Sequence, residues 1–360
     1  MIPTLVERLC SQSVTPALPS PPTNGLVLGV DRSADAKVTV LLFGKGKDPV
    51  AVAKIARSEL SGRSVLAEYE FLRHVYSGLP PHLASTVPRA IDLLDMGGVP
   101  AFVMGFLPGS PMTVDYYSPG HASSTSAAQK DFAVAEQWLA RWQVATSGPD
   151  VPFGELLESW LTPTVERYLD QVGRNQVEEE FLIDALTLAR PFADVQMPVG
   201  TEHGDFWMGN LLVDGLRLSG VVDWEFGRTS GIPILDAFKF PTSYGFYLDR
   251  SRPWGGGAVP GHPGREDSAG RWRQYGSWPN LVGFGHVWFG NGHLPQLART
   301  WLENAAARTR TPRALLPALF SGFLAEQALR ANTPEFRDGY RTLIDAVANE
   351  HQGWWLWDAA

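Results

Sequence analysis

One cysteine in 360 residues, Cys10, rules out an intramolecular disulfide and any cysteine-built metal cluster, and it fits a reducing compartment. Charge is also scarce. Only 19% of residues are charged, the formal net charge is -8, and no long run of Lys and Arg occurs, so a nucleic-acid footprint is not expected. No apolar stretch reaches the roughly 20 residues that a membrane helix needs. The opening "MIPTLVERLCSQSVTPALPSPPT" lacks the basic start, apolar centre and small-residue cleavage site of a secretory leader. The resulting expectation is a cytoplasmic protein whose partners are small molecules, with neither nucleic acid nor membrane among them and its oligomeric state open. Internal repeats and low-complexity tracts are lacking as well. What is abundant is core material: 44% hydrophobic residues with 13 Trp, enough for two lobes at this length.

The texture changes along the chain. "KVTVLLF" (Lys37 to Phe43) and "PVAVAKIA" (Pro49 to Ala56) are apolar, β-branched runs separated by "GKGKD", which predicts an antiparallel hairpin. "SVLAEYEFLRHVYSGL" carries Leu66, Tyr69, Leu72 and Val75 or Tyr76 at helical spacing, and two further strands end in "VPAFVMGFLPGSP". From about Asp131 the period becomes helical, and helices are predicted to the C-terminus around a Gly-, Pro-, Trp- and Arg-rich segment, Tyr244 to Gly292. We place a sheet-rich part at 1–104 and a helical part at 105–360, with 241–292 as an insertion.

Between Glu202 and Glu225, "EHGDFWMGNLLVDGLRLSGVVDWE" joins polar chemistry to a hairpin signal. Asp214 and Gly215 suit a tight turn that pairs Val213 with Leu216 and brings Asn210 beside Ser219. Asp205, Asn210 and Asp223 then meet at the open end as hard oxygen donors, which suit Mg²⁺ and phosphate rather than Zn²⁺. If Asn210 and Asp223 hold the metal, Asp205 is free to take a proton from an attacking hydroxyl.

"HGDFWMGN" followed by "VVDWE" resembles the family of aminoglycoside phosphotransferases, choline kinases and related small-molecule kinases. The resemblance implies a protein-kinase-like α+β fold: a small antiparallel sheet with one helix, then a larger, mainly helical lobe. It also implies Asp205 as catalytic base, Asn210 and Asp223 as metal ligands, and His203 as a support of the loop. Gly204 stands where protein kinases carry Arg, and "DWE" where they carry Asp-Phe-Gly. Lys54, inside an apolar strand, is the expected phosphate lysine, with Glu68 as its helix partner and Glu70 as the alternative. Ser33 lies in a Gly-poor loop expected over the phosphates, and Met104 and Phe106 lie in the segment expected to line the adenine pocket. Asp236, in "GIPILDAF", matches the helix-starting segment after the metal Asp. Mg²⁺ is the expected cofactor, and ATP or GTP the co-substrate.

The acceptor is left open among aminoglycoside-like, sugar and amino-alcohol molecules, with a nucleotide-binding pseudokinase as the alternative function. Glu225 and Asp236 are possible acceptor contacts. Eight of the thirteen Trp lie from Trp254 onward, where an aromatic wall could stack on a sugar or hold a quaternary ammonium, although ordinary packing accounts for most such residues.

Overall fold

The computed structural model describes residues 2–11, 18–30, 35–118, 120–121, 124–173, 175–248 and 270–357. They form two compact units. The first comprises Met1–Ser110, His203–Asp205 and Asn210–Thr229, and the second the remainder.

The first unit is built on an antiparallel five-stranded sheet of order β1-β2-β3-β5-β4: β1 Asn24–Val30, β2 Lys37–Phe43, β3 Pro49–Ala56, β4 Ala90–Asp95 and β5 Pro100–Gly105. Strand β2 alternates strictly, burying Val38, Val40 and Leu42 and turning the residues between them away, the period-two pattern of a sheet with one covered face. The cover includes helix α1, Ile2–Ser11, whose Leu5 and Leu9 lie one turn apart and join Val40, Ala53 and Val103 in one core. That helix was not foreseen in the sequence, although its apolar residues have helical spacing.

Helix α2, Glu59–Tyr76, starts at a capping box in which Ser58 and Ser61 satisfy each other's backbone N–H groups. Its buried face is Val65, Glu68, Phe71, Leu72 and Val75. Leu66, expected on that face, is 38% exposed. The face is rotated because a carboxylate, Glu68, takes a core position.

The Leu211–Asp214 and Arg217–Val221 hairpin belongs to the same unit, and its register corrects the sequence reading. Asp214 pairs with Arg217 and Val213 with Leu218, so the two turn residues are Gly215 and Leu216. Only Gly215 has a positive φ, 63°, the pattern of a II′ turn. A bulge at Ser219, whose hydroxyl donates to the Pro108 and Leu212 carbonyls, adds one further residue of offset. Asn210 therefore lies opposite Val222, whose N–H donates to the Asn210 carbonyl at 3.0 Å, and not opposite Ser219. The shift sets Asn210 beside Asp223.

The second unit is mainly helical. Its long helices are Thr125–Ala145, Thr162–Gln171, Gln176–Ala189, Ile234–Leu248, Leu281–Phe289, His293–Arg308, Leu316–Arg330 and Pro334–Glu350, and strand Ser147–Pro152 pairs antiparallel with Gln196–Glu202. Leu316–Arg330 is buried along nearly its whole length and packs on four of the others, which makes it the centre of this core. Within the predicted insertion, Tyr244–Leu248 completes helix Ile234–Leu248, and Leu281–Phe289 packs on that helix. An antiparallel sheet followed by a helical part is the α+β class expected. Among the described residues no helix is long and apolar enough to cross a membrane.

Candidate active site

Strand β3 carries Lys54 inside the first unit, 9% exposed. A lysine so placed needs anionic partners, and two are present. Lys54 Nζ donates to Glu68 Oε1 and Oε2 at 2.7 and 2.6 Å, and to Asp223 Oδ1 at 2.7 Å. Glu68 is fully buried and Glu70 exposed, so of the two carboxylates weighed as partner it is Glu68 that meets the lysine. Glu68 Oε1 also accepts the Trp224 N–H at 3.1 Å, tying α2 to the residue after Asp223. The Trp224 indole stacks on Phe71 of α2 and donates to the Val221 carbonyl, which clamps the same connection with apolar area.

The electrostatics follow from this arrangement. Burial works to lower the Lys54 ammonium, but Asp223 and Glu68 overcome it and hold its pKa above the ordinary lysine value. Burial works to raise the Asp223 carboxyl, while Lys54 and then Lys37 pull it down to about 2. Glu225 moves the other way: burial and the Asp223 charge raise it, with Lys37 opposing. Lys37 of β2 pairs with Glu225, and Ser64 of α2 donates to the same carboxylate. The sequence reading missed Lys37 and Ser64. Their only sequence signal is a basic residue at a strand start and a small polar residue in a helix.

The loop before the hairpin is held by His203, which is fully buried. Its Nδ1 accepts the Asp205 backbone N–H at 3.1 Å, so the ring proton sits on Nε2 and donates to the Val222 carbonyl at 3.0 Å. Gly204 adopts φ 78°, and a Cβ there would lie 2.4 Å from the Phe226 carbonyl oxygen. Arginine cannot occupy that backbone. Asn210 Nδ2 donates to the Asp205 carbonyl at 2.9 Å and to Asp205 Oδ2 at 3.0 Å, which turns Asn210 Oδ1 away as an acceptor. Asp223 has φ 69°, an uncommon backbone for a residue other than glycine and one that aspartate tolerates.

The remaining expected residues are placed as follows. Met104 is buried in β5 opposite Val52 and Ala90, and Phe106 is half-buried just past the end of that strand. Asp236 is 2% exposed in the first turn of helix Ile234–Leu248 in the second unit. Ser33 lies outside the described residues, as does Trp254. Of the C-terminal tryptophans, Trp272, Trp288 and Trp301 are buried in the core, while Trp354, also buried, lies with Trp355 in the lining of a cavity that Arg299 and Glu350 share.

A strand lysine paired to a helix glutamate, on an antiparallel sheet joined to an Asp-Asn loop and a second aspartate, defines a phosphotransferase of the protein-kinase-like class. Residues 32–246, more than half of the chain, match the phosphotransferase enzyme family (APH), and the chain belongs to that family. Its fold is similar to that of a thermostable aminoglycoside phosphotransferase APH(4)-Ia variant in complex with ADP and hygromycin B, at 12% identity and TM-score 0.58 over 97% of this chain and 98% of that one. It is also similar to a fructosamine-3-kinase, so described, from Thermobifida fusca YX-ER1, at 14% identity and TM-score 0.51 over 98% and 100%. Among curated proteins no sequence match is found.

Proposed function

We propose that this phosphotransferase moves the γ-phosphoryl group of ATP or GTP directly to a hydroxyl of an aminoglycoside-like, sugar or amino-alcohol acceptor, with Asp205 as the base. One observation carries the reading: Lys54 is braced by Glu68 and Asp223 in the same unit that holds Asp205 and Asn210. In this class of chemistry positioning and charge stabilisation do most of the work. Lys54 is the group that meets the nucleotide phosphates. Asp205, half-buried and oriented by Asn210 and His203, accepts the proton of the attacking hydroxyl.

The donor set fits Mg²⁺. Asn210 Oδ1 and the Asp223 carboxylate are hard oxygens, and among the described residues no three His, Cys, Asp or Glu side chains gather as a metal cage. A cation held by these two residues would take its other positions from water and phosphate oxygens, the habit of Mg²⁺, and would neutralise charge on the phosphates when bound.

The test is a coupled ADP- or GDP-release assay over aminoglycosides, amino sugars and amino alcohols with Asp205→Asn as control. Turnover on one class, lowered at least 100-fold in the variant with nucleotide affinity retained, supports the assignment. Turnover that survives the substitution removes Asp205 as the base, and nucleotide binding without turnover on any acceptor points to a pseudokinase.

A further inference from the structure

We propose that a cavity in the C-terminal part of the second unit is a binding site for a small organic anion, and that its residues take no part in phosphoryl transfer. The cavity has a volume of about 710 Å³, within the range of sites that take small molecules. Its lining runs from Arg271 to Trp355, so every residue of it lies beyond residue 246, where the family match ends. One wall is a ridge of helix His293–Arg308, where Gln296, Thr300 and Glu303 follow at helical spacing with Arg299 beside them. Another is the turn that follows helix Pro334–Glu350. In the lining turns Gly292 and Gly353 have φ of 105° and 72°, and a Cβ on either would meet nothing within 4 Å, so the space beside them is open.

The aromatic part of the lining is fixed. Trp354 is 3% exposed and stacks on Phe289 at 4.0 Å and 23°. Its indole N–H and that of Trp355 donate to one acceptor, the Trp288 carbonyl, at 2.5 and 3.3 Å, so neither is left for a ligand. Trp355 in turn carries the Arg299 guanidinium 5.0 Å from its ring centre, and Arg299 Nε donates to Glu303 Oε1 at 3.2 Å. Those two contacts hold the guanidinium in place, while its terminal Nη groups have no protein partner among the described residues. A planar cation held in this way is prepared to donate two N–H groups to a carboxylate or a phosphate.

The charges choose the sign of the ligand. Both carboxylates of the lining are engaged: Glu303 by Arg299 and, at 4.0 Å, by Arg313, and Glu350 by Arg271 and by the Tyr275 hydroxyl at 2.6 Å. Burial works to raise the Glu350 carboxyl, but Arg271 and Tyr275 overcome it and hold it below the ordinary glutamate value, so it stays an anion that is already paired. These three arginines and two glutamates leave one positive charge in excess. A cation entering the cavity would have to take a carboxylate from an arginine. An anion finds the Arg299 Nη groups, with the amides of Asn291, Gln296 and Gln352 in the same lining. Carboxylates and phosphate esters share the anionic oxygens that such donors recognise.

The experiment is calorimetric titration of the full chain with citrate and with D-glucose 6-phosphate, in the presence of AMP-PNP to occupy the nucleotide site. D-glucose and spermidine serve as neutral and cationic controls. At least one anion is expected to bind at one site per chain: citrate alone identifies a carboxylate ligand, glucose 6-phosphate alone a phosphate ester, and both a general oxyanion site. Its Kd should rise at least 10-fold in Arg299→Gln and less in Arg299→Lys, which keeps the charge and loses the fork. Thr300→Trp, which fills the cavity from an exposed position, should weaken binding as well. Retained circular dichroism and AMP-PNP affinity show that the variants fold. Binding of neither anion, an anion affinity unaltered in Arg299→Gln, or spermidine binding that Thr300→Trp abolishes overturns the proposal. The proposal and the kinase reading fail separately. Arg299→Gln should keep the turnover that Asp205→Asn removes, and turnover lost in Arg299→Gln would place the cavity in the transfer reaction and overturn its independence.

Discussion

Two buried carboxylates, Glu68 in the first unit and Asp131 in the second, are satisfied in different ways. Glu68 is fully buried and held by a lysine ammonium and a backbone N–H, whereas Asp131 is held by a tyrosine hydroxyl and an imidazole. The first arrangement stores unlike charges close together, where a bound phosphate or cation can compete for them. The second arrangement satisfies a carboxylate within an aromatic cluster. A site of the first kind responds to ligands, pH and charge substitutions; one of the second kind responds to loss of packing and of single hydrogen bonds.

The largest effect should come from Lys54→Met. It leaves Glu68 buried without its cation, which costs on the order of 3–5 kcal/mol of stability, and it removes the proposed phosphate contact, lowering kcat/KM by at least 100-fold. Urea denaturation and steady-state kinetics measure the two consequences independently. In Lys54→Met/Glu68→Gln part of the stability should return and none of the activity. Recovery of turnover in the double variant would mean that the ionic cluster is scaffold alone, and the contrast with Asp131 would collapse.

Acid titration gives a smaller effect with a definite sign. The Asp223 carboxyl is held at about 2 in the folded chain, below an ordinary aspartate near 3.9. Its contribution to stability is therefore fully present above about pH 4 and is lost as the pH falls through about 2. Glu225, whose pKa is raised, works in the opposite sense, since protonation relieves a buried charge beside Asp223. Asp223→Asn should flatten the fall in urea midpoint between about pH 4 and 2. An undiminished fall in that variant would assign the acid sensitivity to other carboxylates.

The ionic cluster was far more legible in the sequence than the aromatic one, for a physical reason. A lysine inside an apolar strand, and an aspartate and asparagine five residues apart before a hairpin, are residue types that folding alone does not favour at those places. Trp207, Tyr247 and Tyr117 are types that any core accepts, so nothing in the sequence marks out the cluster they form. The sequence reading looked for an aromatic wall after Trp254, and there Trp288 and Trp301 proved to be interior, donating their indole N–H groups to Thr242 and Ala237. Register was out of reach for a related reason. The Ser219 bulge depends on the carbonyls of Pro108 and Leu212, and the first of these lies about a hundred residues away in the chain. Lys37 and Glu225 likewise meet only in the folded unit.

The smallest effect tests the other side of the comparison. Tyr244 is fully buried, and burial together with the Asp131 charge pushes its phenol well above the ordinary tyrosine value, so the hydroxyl stays a donor wherever the chain is folded. Tyr244→Phe keeps the ring contacts with Tyr116 and Phe132 and deletes one hydrogen bond to a carboxylate that still has His121. A loss of about 1–2 kcal/mol is expected, at the lower end for a bond to a charged acceptor because the partner is not stranded. Nucleotide affinity should not change. A variant as stable as the parent would show that His121 alone satisfies Asp131. The tyrosine cluster would then be held by packing and not by its carboxylate.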